Sequence, residues 1–488
     1  MERIFRSLLC LSFVFICITP AAKGQHLEDV NRRLEILERI WEIPSNDLVR
    51  QKASKSVDSL TFLMLTGQYS KAAQTIDAAI AEFQKNIPEK TTPTWSDSLD
   101  IKVSKSLINP CTETIQGTLR HTYRSNITAP VTARVRIRWT IDGKEMKSHM
   151  VAVPSDSIQF ELVSPPNLAI AQIWCETMNE AKNISLANID KKTVLMIPEG
   201  SHFNEKLLAK KNDISLLPNS ISKSTWLHKF EEFNSLAANE KELPTHGEIQ
   251  KLLGLVDVPV EKIKNGRWPE PTSGTDQVLA LPMPAGKKIV RVRLPTKESC
   301  HSKNIPAVVA LHGAGDNENK WIDGYNRLLS NHCQQRGWIL ICPRNGTEPD
   351  LLPLLAKWSG LSIKDVAMVG HSQGGSQSLA FCAKYPGELR GLVALGASGR
   401  VGSGEIYRTI PFFVGVGTED LSFKACESMV EQIRNQGHNK LSFHRYENIG
   451  HAMTPLASKK DVLGFLDELF TSTKNEGAQE ARPRKSMN

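Results

Sequence analysis

The residues that could do chemistry start with one serine set between glycines. Residues 370–375 read Gly-His-Ser-Gln-Gly-Gly, so Ser372 stands at the centre of a Gly-X-Ser-X-Gly pattern. An apolar run at 365–369 precedes it and a helical pattern at 376–383 follows it. A buried strand, a tight turn and a helix are the setting in which this pattern forms a nucleophile elbow. The alternative is an ordinary glycine-rich turn whose serine is unreactive.

Asp420 is an acid that could support this serine, and it lies 48 positions after Ser372. A serine hydroxyl is a weak nucleophile until a base takes its proton and a third group orients that base. Asp420 follows the apolar run 411–416, beyond the carboxyl end of a predicted strand, where open α/β sheets form ligand sites. Glu419 is adjacent and is predicted to point elsewhere. The alternative role for Asp420 is a helix N-cap.

Three histidines compete for the role of the base. His444 lies inside the predicted strand 441–446, and His438 lies at the amino end of that strand. His451 follows the carboxyl end of the strand, which is the sheet edge predicted for the elbow and for Asp420. We therefore predict His451 as the base, with a solvated loop histidine as the alternative.

Acyl transfer also needs hydrogen-bond donors for the oxyanion that develops on the substrate. The residue after the nucleophile supplies one backbone N–H, here Gln373. The second donor is expected from the loop His-Gly-Ala-Gly-Asp at 312–316, where the amide of Ala314 is the candidate and Gly313 the next choice. His312 is predicted to brace this loop. This chemistry needs no metal and no cofactor.

Repeated alternation of strand and helix patterns predicts the element that positions these residues. The predicted strands are 288–294, 307–311, 338–342, 365–369, 390–395, 411–416 and 441–446, and the predicted helices are 321–335, 351–358, 376–383, 422–436 and 459–470. Continuous apolar strands separated by helices are typical of a mostly parallel sheet covered on both faces. The predicted fold class is therefore α/β for this part of the chain.

Several stretches together resemble the α/β-hydrolase superfamily: 311–316, 370–375, 417–420 and 450–451. Within it they are similar to the phospholipase/carboxylesterase branch, which includes acyl-protein thioesterases, and to dienelactone-hydrolase-like esterases. The resemblance covers about residues 276–471. In that branch the loop pattern His-Gly-X-Gly-Asp and the elbow supply the oxyanion amides, which implies this role for Ala314 and Gln373. Those small enzymes lack the long segment that precedes residue 276.

Sequence patterns in the preceding half of the chain predict further domains. At 488 residues the chain is long enough for two to four units. Helical periodicity predicts a helical hairpin or bundle over 25–90, and alternating strands predict a β-sandwich-like domain over 95–200. A helical connecting segment at 201–268 leads to the catalytic domain at 275–472. A disordered tail is expected at 473–488.

The first 24 residues have the pattern of a secretory signal peptide. Arg3 and Arg6 precede the apolar run 8–18, and small residues follow it. We therefore expect a secreted or periplasmic protein without a membrane span after cleavage, because the run is shorter than the ~20 residues that cross a bilayer. An uncleaved N-terminal anchor is the alternative. The net charge of +8 comes without a long basic block, so no nucleic-acid partner is predicted.

Cysteine usage fits an oxidising compartment but does not define the bridges. Two of the nine cysteines lie in the predicted signal peptide, and the odd number that remains leaves at least one free. Cys111 and Cys175 are a plausible pair inside the β-sandwich-like domain. No Cys-X-X-Cys pair occurs, so neither a zinc site nor a redox motif is predicted.

These observations predict an exported serine hydrolase that cleaves carboxylic esters through an acyl-enzyme. Its partner would be a small-molecule or polymer-attached ester. A serine peptidase of the prolyl-oligopeptidase type is one alternative, although no β-propeller repeat precedes the catalytic part. A non-catalytic binding or adhesion protein that uses a hydrolase scaffold is the other.

Overall fold

The described part of the chain divides into two compact units. The computed structural model describes residues 24–41, 47–57, 59–84, 99–103, 107–108, 114–121, 134–141, 144–152, 157–163, 169–179, 184–196, 202–237, 252–296 and 304–480. The first unit lies within 1–201 and 233–251, and the second within 202–232 and 252–488. Residues 1–23 of the predicted signal peptide lie outside the described residues, so this peptide stays a prediction.

The first unit begins with four helices: α1 (Gly24–Trp41), α2 (Asp47–Ser56), α3 (Leu60–Leu65) and α4 (Tyr69–Gln84). Ile76, Ile80 and Phe83 recur at helical spacing on α4, and all three are almost fully buried. The ring of Phe83 packs edge-on against Trp41, with 5.8 Å between the ring centroids. An apolar stripe on each helix therefore holds the group together.

Two sheets follow in the same unit. The strands are β1 (Leu99–Val103), β2 (Leu107–Ile108), β3 (Thr114–His121), β4 (Arg134–Ile141), β5 (Lys144–Ala152), β6 (Ser157–Val163), β7 (Ala169–Asn179) and β8 (Ile184–Met196). One sheet has the order β1-β3-β6 and the other β2-β8-β7-β4-β5. Ile141 of β4 pairs with Lys144 of β5, so only Asp142 and Gly143, a strong hairpin turn sequence, separate these antiparallel strands.

The predicted cysteine bridge of this unit stays a prediction. Cys175 lies in β7, whereas Cys111 lies outside the described residues. In the second unit, four cysteines are buried and free: Cys333, Cys342, Cys382 and Cys426.

The second unit begins with three helices, of which α6 is hydrogen-bonded to the sheet. These are α5 (His202–Ser215), α6 (Ile221–Ala237, to Glu232 in this unit) and α7 (Val260–Lys264). Trp226 of α6 is fully buried, and its indole N–H donates to the carbonyl oxygen of Leu255 at 3.3 Å. The backbone N–H of Ala280 donates to the hydroxyl of Thr225 at 3.0 Å. Residues 202–232 and 252–268 of the predicted connecting segment thus belong to the same compact unit as the sheet.

An eight-stranded sheet forms the centre of the second unit. Its strands are β9 (Asp276–Met283), β10 (Gly286–Arg293), β11 (Asn304–Leu311), β12 (Ile339–Pro343), β13 (Ser362–His371), β14 (Gly391–Leu395), β15 (Phe412–Gly417) and β16 (Leu441–Tyr446). The order is β16-β15-β14-β13-β11-β12-β10-β9, and β10 runs antiparallel to both of its neighbours while the other pairs are parallel. This mostly parallel sheet confirms the predicted α/β fold class for this part of the chain.

Helices cover both faces of this sheet. They are α8 (Lys320–Asp323), α9 (Leu328–Arg336), α10 (Leu351–Ser359), α11 (Gln373–Lys384), α12 (Glu405–Thr409), α13 (Phe423–Asn435), α14 (Thr454–Ala457) and α15 (Lys459–Glu480). Helix α15 continues past residue 472, where the predicted catalytic domain ends. Among the described residues, no helix combines the length and the apolar character needed to cross a bilayer.

Burial explains why the central strands pair in parallel. Every residue of β12, β14 and β15 is buried, as expected for strands with helices on both faces. The edge strand β16 is only partly buried. Because the carboxyl ends of parallel strands meet at one edge of a sheet, the loops after β11, β13, β15 and β16 open on the same side.

We expect Trp226→Ala to destabilise the second unit by roughly 3–5 kcal/mol, because it removes a fully buried indole from the core. Calorimetry of the full chain would measure this as a lower unfolding temperature for the transition of that unit. Leu216→Ala is the control, because Leu216 is 86% exposed and its truncation should change stability by less than about 0.5 kcal/mol. Equal effects of the two variants would show that α6 is not part of this core.

Candidate active site

Ser372 lies in a strained turn between β13 and α11. Its backbone angles are φ 57° and ψ −124°, and a positive φ is rare for a residue other than glycine. The backbone N–H of Ser372 donates to the carbonyl oxygen of Leu395 at 2.9 Å, which ties the turn to the end of β14. A side chain at Gly374 would clash with the carbonyl of Leu311. The turn therefore needs a small residue at this position.

The structure brings Asp420 and His451 into direct contact. The Nδ1 atom of His451 lies 2.8 Å and 2.9 Å from the two carboxylate oxygens of Asp420. Because an ionised carboxylate only accepts hydrogen bonds, Nδ1 carries the proton in this pair. In a neutral ring, Nε2 is then the unprotonated nitrogen. His451 is thus held in the tautomer that can accept a proton at Nε2.

Asp420 is buried, and several donors offset the cost of its burial. Its Oδ1 atom accepts hydrogen bonds from the backbone N–H and the hydroxyl of Ser422, at 2.8 Å and 2.7 Å. Burial by itself would raise the pKa of Asp420, but the hydrogen bonds and charge of His451 and the bonds from Ser422 hold it below the usual value. Asp420 is therefore an anion that both orients His451 and organises the turn before α13.

The other predicted acid and bases lie elsewhere. Glu419 is exposed, whereas Asp420 is 5% exposed. His444 lies within β16, stacks on the ring of Phe413 and is 3.7 Å from Asp461. His438 is buried before the amino end of β16, where its ring packs against Phe412. Position in the sheet therefore distinguishes His451 from the other two histidines, as the sequence predicted.

The loop after β11 lies against Ser372, where the second oxyanion donor was predicted. A Cβ atom added to Gly313 would lie 3.3 Å from the Cβ of Ser372, so the two backbones are close. Ala314 follows and is exposed. Gln373 is the first residue of α11, and the N–H groups of a first turn have no partner within their helix. The amides of Ala314 and Gln373 thus lie on the two segments that flank Ser372.

An ion pair between the part-exposed Arg344 and the buried Glu318 supports this loop. The Nε2–H of His312 donates to the carbonyl oxygen of Arg344 at 2.5 Å, which joins the loop to the end of β12. The guanidinium of Arg344 binds both carboxylate oxygens of Glu318, with one distance of 2.6 Å. Burial alone would raise the pKa of Glu318, but these bonds lower it. His312 thus has the bracing position predicted for it, whereas the Glu318–Arg344 pair was not predicted.

His371 is a second polar residue that the sequence interpretation missed. It ends β13 beside Ser372, and only 6% of its surface is exposed. Its Nδ1 atom lies 2.8 Å from the hydroxyl oxygen of Tyr325, and its Nε2 atom lies 3.1 Å from the carbonyl oxygen of His451. Burial, together with the nearby His451, lowers the pKa of His371 from 6.5 to about 3. The signal available in the sequence was a titratable residue at the last position of a buried strand.

Among the described residues, no group of three or more His, Cys, Asp or Glu side chains could hold a metal ion. The polar groups around Ser372 are instead joined to one another and to the backbone.

No protein-family model matches the chain, and no curated protein matches it significantly. Among solved structures, the chain is similar to a feruloyl esterase module from Clostridium thermocellum, with 14% identity and a TM-score of 0.34 over 41% of this chain and 89% of the other. It is also similar to Est1E from Butyrivibrio proteoclasticus, with 13% identity and a TM-score of 0.30 over 40% and 99%. An S-formylglutathione hydrolase from Agrobacterium tumefaciens matches with 15% identity and a TM-score of 0.32 over 40% and 94%.

The depressed pKa of His371 predicts a loss of stability in acid. Between pH 6.5 and about 3 the unfolded state binds a proton at this residue and the folded state does not, so the free energy of unfolding falls as the pH falls through this window. One such proton gives a slope of about 1.4 kcal/mol per pH unit. Urea titrations at pH 7, 6 and 5 should show a smaller slope for His371→Gln than for the wild type. Equal slopes would show that His371 is not buried in its neutral form.

Proposed function

We propose that this chain is a serine hydrolase that cleaves carboxylic esters through an acyl-enzyme. Ser372 is the nucleophile, His451 is the general base, and Asp420 orients His451. The amides of Gln373 and Ala314 hold the oxyanion. Export through the predicted signal peptide of residues 1–24 is part of the proposal, and the substrate is a small-molecule or polymer-attached ester.

The proposed reaction has two halves. Ser372 Oγ attacks the ester carbonyl carbon while its proton passes to Nε2 of His451, and the oxyanion of the tetrahedral intermediate accepts the two amide hydrogen bonds. The C–O bond to the alcohol then breaks, and His451 gives its proton to the leaving oxygen. In the second half, His451 takes a proton from water, the water oxygen attacks the acyl carbon, and Ser372 leaves with the returned proton. The free acid departs and the enzyme is unchanged.

One observation carries the proposal: the buried Asp420–His451 pair lies on loops of the sheet edge at which Ser372 occupies a strained turn. Asp420 stabilises the imidazolium that forms when His451 accepts the proton. Strain of about 1–3 kcal/mol at a non-glycine residue persists only where the surroundings impose it, and such strain clusters at active sites. A structural serine and a solvated loop histidine would need neither feature.

We expect a fluorophosphonate probe to label the wild type and not Ser372→Ala. Ester hydrolysis should fall by roughly 10⁴-fold in Ser372→Ala, because the acyl-enzyme cannot form, and by a comparable factor in Asp420→Asn, because His451 loses its tautomer. The measurement is kcat/KM on aryl esters of increasing acyl length. Ser359→Ala is the matched control, since its hydroxyl bonds the backbone of Ala356 and Leu361, at and just beyond the end of α10.

The same assay separates the alternatives. Faster cleavage of aminoacyl-arylamides than of aryl esters would favour a peptidase. Absence of labelling in the wild type would favour a non-catalytic binding protein, and full activity of Ser372→Ala would refute the proposal.

A substitution at a neighbouring glycine should perturb the Asp420–His451 pair without changing either residue. Gly396 follows β14 with φ +52°, and a Cβ atom there would lie 2.7 Å from Oδ2 of Asp420 and 3.1 Å from Nδ1 of His451. Gly396→Ala should therefore displace the pair and lower kcat by about 100-fold, the order expected for a shift of about 1 Å. Gly360→Ala is the control, because Gly360 has φ +70° but no atom within 4 Å of the added carbon. If both variants lose activity equally, backbone strain rather than the pair is responsible.

A further inference from the structure

The two ring nitrogens of His371 face partners that define its tautomer. The carbonyl oxygen of His451 can only accept a hydrogen bond, so the Nε2 atom of His371, 3.1 Å away, must carry a hydrogen. In a neutral ring Nδ1 is then an acceptor, and the hydroxyl of Tyr325 donates to it at 2.8 Å. A directed chain of hydrogen bonds thus runs from Tyr325 through His371 to the backbone of His451.

His371 also touches the ring of His451. The two ring centroids are 4.8 Å apart, with an angle of 37° between the ring planes. His451 is therefore held at three places: its Nδ1 atom binds Asp420, its carbonyl binds His371, and its ring lies against the ring of His371. The contact with Asp420 orients the ring of His451, whereas the bond from His371 acts on the backbone of the short turn 451–453.

Tyr325 occupies a turn that is costly to form. Tyr325, Asn326 and Arg327 have φ values of 47°, 51° and 57°, so three consecutive residues other than glycine are left-handed. Each such residue costs about 1–2 kcal/mol, so neighbouring contacts must impose the turn. The Tyr325 ring packs on Trp321 at 4.6 Å, and the Trp321 indole donates to the carbonyl oxygen of Leu311. The strained turn places the hydroxyl of Tyr325 within hydrogen-bond distance of His371.

We infer that Tyr325 and His371 are positioning residues of the proposed esterase, in which a buried hydrogen-bond relay holds the backbone and ring of His451 in the geometry needed to take the proton of Ser372. This inference rests on the proposed function. Neither residue contacts substrate or exchanges a proton with it. The relay acts on the base through its carbonyl and its ring, whereas Asp420 acts through Nδ1. Its neutral centre places no positive charge beside the imidazolium that His451 becomes.

A measurement on the resting protein tests the relay without any substrate. Nitrogen-15 NMR of the histidine rings distinguishes the two neutral tautomers, and His371→Gln identifies the signal of His371 by its loss. We expect His371 to carry its hydrogen on Nε2 near pH 7, and we expect this hydrogen to exchange faster with water in Tyr325→Phe. A hydrogen on Nδ1 instead would overturn the relay, because Nε2 could not then donate to His451.

The kinetic test removes only the hydroxyl that starts the relay. Tyr325→Phe should lower kcat by about 10-fold with little change in KM, because the base is displaced while the residues proposed to contact the substrate are unchanged. Tyr446→Phe is the matched control, since it removes a part-buried hydroxyl bonded to Asp461 at 2.9 Å and has no bond to the relay. A loss confined to stability, or an equal loss of kcat in both variants, would overturn the inference.

Two substitutions at His371 distinguish a role in positioning His451 from a role in packing alone. The side-chain amide of His371→Gln can still donate to the carbonyl of His451, whereas His371→Leu cannot, so the glutamine variant should retain about 10-fold more kcat. Tyr325→Phe should have no further effect in the His371→Leu background, because the tyrosine acts only through the imidazole. Equal activity of the two His371 variants, or additive losses, would contradict the relay.

These tests also distinguish the two proposals. If the wild type hydrolyses no ester, the proposed function fails while the tautomer measurement still decides whether the relay exists. If the wild type is active and Ser372→Ala is not, but Tyr325→Phe matches the wild type, only the inference fails.

Discussion

The structure around Ser372 depends on one buried charge, the carboxylate of Asp420. An ion taken out of water costs several kcal/mol unless donors surround it, and here the donors are Ser422 and His451. This need for donors constrains both His451 and the loops that carry the donors. Asp420 selects the tautomer and orientation of His451, and the loops after β15 and β16 must lie where they can complete the hydrogen bonds. The position of the proposed base is therefore a consequence of neutralising a buried acid.

A steric constraint acts beside this electrostatic one. The turn at Ser372 joins the buried end of β13 to a helix, and little space is left between it and the neighbouring strands. Glycine at 374 allows the first turn of α11 to approach the end of β11, and glycine at 396 leaves room for the Asp420–His451 pair. The resulting strain at Ser372 is offset in part by its backbone hydrogen bond to Leu395. A side chain at either glycine would displace the reacting groups directly, because packed interiors have little free volume.

Polar bracing completes the arrangement on both sides of Ser372. The Glu318–Arg344 pair and His312 hold the loop that carries Ala314, while Tyr325 and His371 hold the turn that carries His451. On one side, His312 of the loop bonds the backbone carbonyl of Arg344; on the other, the buried His371 bonds the backbone carbonyl of His451. Such fixed polar groups need not reorganise during a reaction, which is the property that electrostatic catalysis requires. The surrounding β-α scaffold supplies the rigid strand ends from which these bonds are made.

The amino-acid sequence by itself determined the α/β sheet and the candidates Ser372, Asp420 and His451. Each of these depends on local signals: apolar strands, glycine-rich turns, and polar residues just past strand ends, which parallel pairing brings to one edge. Only the tertiary structure revealed Tyr325 beside His371, 46 positions away, or Arg344 against Glu318, 26 positions away. It also assigned the helices of residues 202–232 to the unit of the sheet. These contacts join segments that are distant along the chain, and they leave no periodic pattern, because a hydrogen bond between two loops constrains one pair of residues and not their neighbours.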